Sequence, residues 1–315
     1  MTEKTEISHK PRIITVDEKG EGQRIDNFLM TQLKGVPKTW VYKVLRKGEV
    51  RVNKGRVKPP HRLKIGDQVR IPPVRVAERK TSEPSSRVKE IIDKSIIYED
   101  ELMLIINKPS GVAVHGGSGL SHGVIETLRA LRPNAPYLEL AHRLDRDTSG
   151  CLMVAKKRSA LKQLQEAQLK GQVEKRYLAL LAGKWRKGRV KADAPLRKNT
   201  LSSGERIVRV DPEGKNSITH FEVKRRFAGA MLVEARLETG RTHQIRVHSA
   251  HLGAPIIGDD KYGNEDANRH FKALGIKRLF LHAHSLRFPW PGKKGGYVFE
   301  APLPEPLADV VGKLS

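Results

Sequence analysis

Ala141-His142-Arg143-Leu144-Asp145-Arg146-Asp147-Thr148-Ser149-Gly150 sets two carboxylates, two guanidiniums, an imidazole and two hydroxyls in ten consecutive positions. Tyr137-Leu138-Glu139-Leu140 precedes it and Cys151-Leu152-Met153-Val154-Ala155 follows. Both flanks read as short strands. A polar loop slung between two strands is where a rigid scaffold presents chemistry. Leu144 is the only large apolar residue inside, so burial does not account for this composition. The plain alternative is a solvated turn with internal salt bridges.

Outward from this loop, a helix is expected over Ser159 to Gln168, then a strand from Val173 to Leu181 with one aromatic, Tyr177. On the N-terminal side Ile96–Asp100 and Leu102–Asn107 read as strands, the second broken by Lys108-Pro109-Ser110-Gly111. Gly116, Gly117 and Gly119 form a loose glycine loop without the spacing of a P-loop or a dinucleotide fingerprint, so no cofactor is expected. Many short strands with few helices predict an α+β domain over 93–315 with a central, largely antiparallel mixed sheet.

A second dense polar stretch runs Glu238-Thr239-Gly240-Arg241-Thr242-His243-Gln244-Ile245-Arg246-Val247-His248. Gln244 to His248 reads as the start of a helix or an extended turn. The two histidines stand five apart without an HExxH pattern, so no metal site is expected, and bonds to backbone or phosphate are the simpler use. A Ser-His-Asp triad through Ser149 stays open, although no G-x-S-x-G elbow surrounds that serine.

Sixty Lys and Arg against 35 Asp and Glu leave a net charge of +25, which predicts a polyanionic partner, nucleic acid first. Between Lys10 and Lys80 there are 19 basic and 7 acidic residues, a concentration expected of a dedicated binding module. No apolar run approaches the roughly 18 residues of a membrane span. Met1 to Lys10 lacks the apolar core of a signal peptide. The single cysteine, Cys151, excludes an intrachain disulfide and a Cys-based zinc site, and reads as a small apolar filler. A cytoplasmic monomer without membrane contact is expected.

The basic segment reads as helix, helix and small hairpin-like sheet. Ile25, Phe28, Leu29 and Leu33 have helical spacing; a second helix runs from Lys38 to Lys47 with Gly48 as its stop; Val50–Asn53 and Gln68–Ile71 alternate as strands around an Asn53-Lys54-Gly55 turn. Arg46, Lys47, Arg51, Lys54, Arg56 and Lys58 cluster on the second helix and the sheet. The arrangement resembles the S4 RNA-binding domain, over 21–73, carried by Arg24-Ile25-Asp26 and Gly48-Glu49-Val50-Arg51-Val52-Asn53. Residues 1–20 are then an N-terminal tail. Residues 74–92 are polar, proline-bearing and without an apolar period, which predicts a flexible linker.

His142-Arg143-Leu144-Asp145 with Thr148-Ser149-Gly150, Lys175-x-Tyr177 and Gly240-Arg241-Thr242-His243-Gln244-Ile245-Arg246-x-His248 resemble the RluA family of pseudouridine synthases. Asn107-Lys108-Pro109-x-Gly111 with His115, Gly258-Asp259-x-x-Tyr262-Gly263 and Leu281-His282-Ala283 fit the same pattern. Leu33–Pro37, Ile71–Arg79 and Ala113–Ser121 are similar to the C-type branch, which acts on several separated uridines of 23S rRNA. D-type specificity, for a different stem-loop, is the alternative. The resemblance implies isomerisation of uridine to pseudouridine, with 23S rRNA, naked or in a large-subunit precursor, as the partner. It assigns the catalytic carboxylate to Asp145, a guanidinium beside it to Arg246, and stacking on a flipped-out base to Tyr177, with Leu281 packing beside it. Arg143 is placed against the rearranged RNA, and His142, His243 and Arg241 among the substrate-binding residues.

Asp147 is the rival to Asp145, since residues two apart in an extended loop face the same side, and only the family register separates them. Tyr177 has a plain alternative as a core aromatic. Two readings of other classes stand beside the isomerase. One is a non-catalytic rRNA-binding or ribosome-assembly factor; the other is an RNA glycosidase, which would release free uracil.

Overall fold

A computed structural model describes residues 11–18, 20–33, 36–74, 83–116, 122–200 and 206–314. The first ten residues of the expected tail, Lys34-Gly35, residues 75–82 of the expected linker, and the glycine loop at Gly117 and Gly119 lie outside the described residues. The chain forms two compact units that divide between Ser82 and Glu83.

The first unit runs β1 (Arg12–Thr15), α1 (Ile25–Gln32), α2 (Lys38–Lys47), β2 (Arg51–Val52), β3 (Gly55–Arg56) and β4 (Gln68–Ile71), with sheet order β1-β4-β2-β3. Gly48 ends α2 in the left-handed region at φ 70°, and the β2–β3 hairpin turns on Asn53 and Lys54 at φ 48° and 67°. Ile25, Phe28, Leu29, Val41, Val44 and Leu45 bury the facing sides of the two helices against Val52, Val69 and Ile71. Asp26 is buried beneath them, accepting two bonds from Arg24 and one from the Tyr42 hydroxyl. Part of the predicted tail is structured. Arg12-Ile13-Ile14-Thr15 pairs antiparallel with β4, because its β-branched run completes the sheet edge and Ile14 packs on the core.

The second unit runs α3 (Ser86–Lys94), β5 (Ile96–Glu99), β6 (Met103–Lys108), α4 (Val124–Leu131), β7 (Glu139–Leu140), β8 (Ser149–Ala155), α5 (Arg158–Leu169) and β9 (Glu174–Ala182). It continues β10 (Arg189–Asp193), β11 (Leu196–Thr200), β12 (Arg206–Val210), β13 (Ile218–Phe227), β14 (Ala230–Leu237), α6 (Gln244–His251), α7 (Glu265–Ala273), β15 (Leu281–Trp290), β16 (Lys293–Glu300) and α8 (Glu305–Lys313). The linker expectation fails at α3. Ser85 caps that helix by accepting the Val88 N–H, and Val88, Ile91 and Ile92 carry an i, i+3, i+4 period that the surrounding charges mask.

The main sheet has the order β10-β13-β14-β9-β15-β8-β6-β5, with β16 added to β15 and β7 to β8. It is antiparallel except where β15 meets β8. Strands β6 and β8 are covered on both faces, which is why they are continuously apolar. Leu104, Ile106, Leu152 and Val154 enter the main core, whereas Met103, Ile105, Cys151 and Met153 enter a second layer with Ala160 and Leu164 of α5. Cys151 is indeed buried filler there, and burial pushes its thiol up to about 12.

Candidate active site

The loop between β7 and β8 is fastened at both ends and at its middle. At the entry, Ala141 N–H donates to Met153 O at 3.0 Å and Ala141 O accepts from the Gln168 amide at 2.9 Å. At the middle stands Lys108, whose side chain is fully buried. Its ammonium donates to Pro109 O, Val112 O and Arg146 O at 2.8, 2.8 and 2.9 Å. Burial pulls Lys108 down to about 7, while three carbonyls that need three N–H groups hold the proton on it. Gly111 N–H and the Ser110 hydroxyl add bonds to Arg146 O and Asp147 O. At the exit, Ser149 and Gly150 pair in parallel with His282 and Ala283 of β15.

The loop turns rather than extends, since Thr148 N–H donates to Asp145 O at 3.2 Å. The two aspartates therefore part. Asp147 pairs with its neighbour Arg146 at 3.1 Å toward solvent, while Asp145 points inward with its side chain 20% exposed. Two nitrogens face it, Arg246 Nη1 at 3.8 Å and His243 Nε2 at 3.9 Å from Oδ2.

Both partners come from the second polar stretch, where α6 begins. Gln244 is buried and satisfied on all sides. Its Oε1 accepts from Thr239 Oγ1 and Arg241 N, and its Nε2 donates to Ile218 O and Thr219 Oγ1. This lock holds His243 in the left-handed region at φ 54°, uncommon for a residue with a side chain. The Tyr262 hydroxyl accepts from Val208 N–H and is left to donate to His243 Nδ1 at 2.8 Å. We therefore assign the ring proton to Nε2, the nitrogen facing Asp145. Burial pushes His243 below its ordinary range, with the Asp145 charge opposing.

Arg246 stands beside Asp145 but gives its hydrogen bonds elsewhere. Its Nε and Nη2 donate to the two oxygens of Asp259 at 2.7 Å each. Desolvation acts to raise Asp259, yet the guanidinium and the Tyr262 and Lys261 N–H groups outweigh it and hold the carboxylate below its usual range. The fork leaves Nη1 for Asp145, and the Tyr262 ring lies 5.0 Å from the guanidinium carbon. Asp259 and Tyr262 sit in the quoted Gly258-Asp259-x-x-Tyr262-Gly263 motif, so a sequence signal existed without a role attached.

A cavity of about 780 Å³ opens beside Asp145, lined by Arg143, Tyr177, Arg241, His243, Arg246 and Leu281 as well as His142. The sequence-nominated residues of this domain thus meet in one place. Tyr177 is both core and lining: 6% exposed, packed in the main core, with its ring at the cavity wall. His142 lines the cavity and also holds the loop. Its Nε2 accepts the Met153 N–H and its Nδ1 is buried with no hydrogen-bond partner among the described residues, so the ring anchors the loop to β8. Gln168, Leu169 and Lys175 also line the cavity and were not singled out for it.

The other nominated groups resolve as structural. His248 bonds Thr219 Oγ1 and Ala194 O inside the domain. Ser149 is buried, accepting from Arg278 at 2.7 Å and bonded to His282 Nδ1 at 2.9 Å. His282 Nε2 donates to Ala301 O, a carbonyl where a triad needs a carboxylate. In the first unit Arg46, Lys47, Arg51, Lys54 and Arg56 are all exposed. Among the described residues no helix is long and apolar enough to cross a membrane.

Residues 102–251 match the family of RNA pseudouridylate synthases, and residues 23–69 match the S4 domain. The chain belongs to the pseudouridine synthase family, whose members are isomerases acting on RNA, and carries an S4 RNA-binding module. Over nearly its whole length it is similar to Ribosomal large subunit pseudouridine synthase C. Identity to that protein from Escherichia coli (strain K12) is 56% over 305 residues, 96% of this chain and 95% of that one. Identity to the Pasteurella multocida (strain Pm70) protein is 53% over 310 residues, 98% and 95% of the two chains. Among solved structures, human RNA Pseudouridylate Synthase Domain Containing 4 has a TM-score of 0.60 and 25% identity, covering 72% of this chain and 95% of that one. Human RNA Pseudouridylate Synthase Domain Containing 1 gives 0.56 and 28%, covering 70% and 86%.

Proposed function

We propose that the protein converts several separated uridines of 23S rRNA to pseudouridine, as a cytoplasmic monomer, with Asp145 as the carboxylate that acts on a flipped-out uridine. The reaction breaks N1–C1′, turns the uracil and joins C5 to C1′. C5 loses a proton and N1 gains one, so nothing is oxidised and no group is imported. The observation that carries the assignment is the placement of Asp145. It alone of the two loop aspartates faces the cavity, with Arg246 Nη1 and His243 Nε2 both within 4 Å of one oxygen. The fork with Asp259 fixes the Arg246 guanidinium, so that Arg246 Nη1 and His243 Nε2 bracket one oxygen of Asp145. The wall formed by Tyr177 and Leu281 fits the face of a pyrimidine. Arg143, exposed at the mouth, and Arg241 suit the RNA backbone. The similarity to the C-type ribosomal enzymes supports the 23S rRNA target.

Pseudouridine mapping of 23S rRNA from cells with and without the gene tests this reading, with wild-type and Asp145→Asn rescue. Separated pseudouridines that vanish on deletion, return with wild type and stay absent with Asp145→Asn are expected. Persistence of every site, or full rescue by Asp145→Asn, overturns it; loss confined to one stem-loop replaces the C-type specificity with the D-type.

A further inference from the structure

A second cavity, of about 710 Å³, lies across the Asp145 loop from the first. The two share Arg143, Leu144, Asp145, His243 and Arg246, so one wall separates them and the same carboxylate borders both. Their chemistry differs. The first presents Tyr177 and Leu281; the second has no Phe, Tyr or Trp and no stacking surface. What the second presents is charge. Asp259 is taken up by Arg246 and Asp147 by Arg146, and the neighbours Asp260 and Lys261 offset one another. Asp145 faces Arg246, and among the described residues Arg143, Lys277 and Arg278 form no ion pair. The Arg278 guanidinium is oriented by its bond to Ser149 on β8, and its Nε has no acceptor among the described residues. Lys277 is exposed.

We infer that this second cavity is a phosphodiester subsite, which takes the backbone phosphate flanking the target uridine while the uracil occupies the first. A cationic cavity without an aromatic platform fits a phosphate and not a base. The shared wall means that a nucleotide chain crossing it carries its sugar past Asp145. The inference rests on the enzymatic reading above and adds to it a location for the neighbouring linkage.

The test uses the full chain and synthetic RNA stem-loops, each around one uridine that is pseudouridine in cellular 23S rRNA. A single neutral methylphosphonate is placed in turn at each linkage near that uridine, and Kd and product formation are read in parallel. One flanking linkage should weaken wild-type binding roughly 10-fold or more when neutralised, the scale of one charge-assisted hydrogen bond. Lys277→Gln should show that loss already on unmodified RNA and lose little more from the neutral linkage, while Lys313→Gln, the same charge change on α8, should behave as wild type. A neutral linkage that costs Lys277→Gln as much as wild type at every position overturns the subsite. Product without that coupling sinks the subsite and leaves the reaction standing; coupling in Kd without product keeps the subsite and sinks the reaction.

Discussion

Arg246 and Asp259 form a buried two-bond fork at 2.7 Å and 2.7 Å, and the fork, rather than Asp145, fixes where the guanidinium points. Asp259 has no exposed side-chain surface and also accepts two backbone N–H groups. Removing one partner of such a pair leaves an uncompensated buried charge, which costs about 3–5 kcal/mol. Asp259→Asn is expected to lose stability on that scale and to lower kcat far more than KM for RNA. In the paired replacement Arg246→Met with Asp259→Leu, much of the stability should return while turnover does not. Urea midpoints beside single-turnover rates check both; unchanged kcat in a folded Asp259→Asn protein would remove the fork from the mechanism.

Gly150 closes the loop that carries Asp145. It sits at φ 109° in the parallel contact between β8 and β15, and a Cβ there would drive into the Ala283 carbonyl. Gly150→Ala combines backbone strain with a steric clash against β15, so destabilisation of about 3 kcal/mol is expected, near the upper end for single substitutions. A thermal melt with an unshifted midpoint would show that β8 and β15 part readily.

Much of this architecture was legible because it is local. The strands β6, β8 and β9, the helix α5 and the stop at Gly48 follow from period and glycine placement, and both polar stretches advertised themselves by composition. What was not legible depends on partners far apart in sequence. Lys108 looked like a strand breaker's neighbour until Arg146, 38 positions on, supplied its third carbonyl. Asp259 belongs to a recognisable motif, yet its role appears only once Arg246 is beside it. Helix α3 was hidden because three apolar residues among charges gave too short a period to outweigh the polar composition around them.

The S4 module makes a prediction about salt. Replacing Arg46, Lys47, Arg51, Lys54 and Arg56 with Gln is expected to weaken rRNA binding without regard to sequence. It should flatten the dependence of log K on log salt by about 0.7–0.9 for each phosphate no longer neutralised. Turnover at saturating RNA should stay near wild type, since these side chains belong to the S4 unit and not to the unit that holds Asp145. Filter binding across a salt series reads the slope, and an unchanged slope would mean that this face does not meet the backbone.

Several buried histidines make the fold sensitive to mild acid, and His282 shows the direction of the effect. Burial pulls it down to about 4. Its neutral ring uses both nitrogens, accepting from Ser149 and donating to Ala301 O. An unfolded histidine titrates near 6.5. Above that pH both states are neutral and the full stability is present. Below it the unfolded chain binds a proton that the native ring refuses, so stability falls by about 1.4 kcal/mol per pH unit until the native ring titrates near 4. His142 and His248 are shifted in the same direction by burial and steepen the decline. Substituting His282→Gln, which keeps a donor and an acceptor but no titrating group, should flatten the stability curve between pH 6.5 and 4 while the slope above pH 7 is retained. Chemical denaturation at half-unit pH steps measures the difference, and parallel curves for the two proteins would exclude His282 as the source.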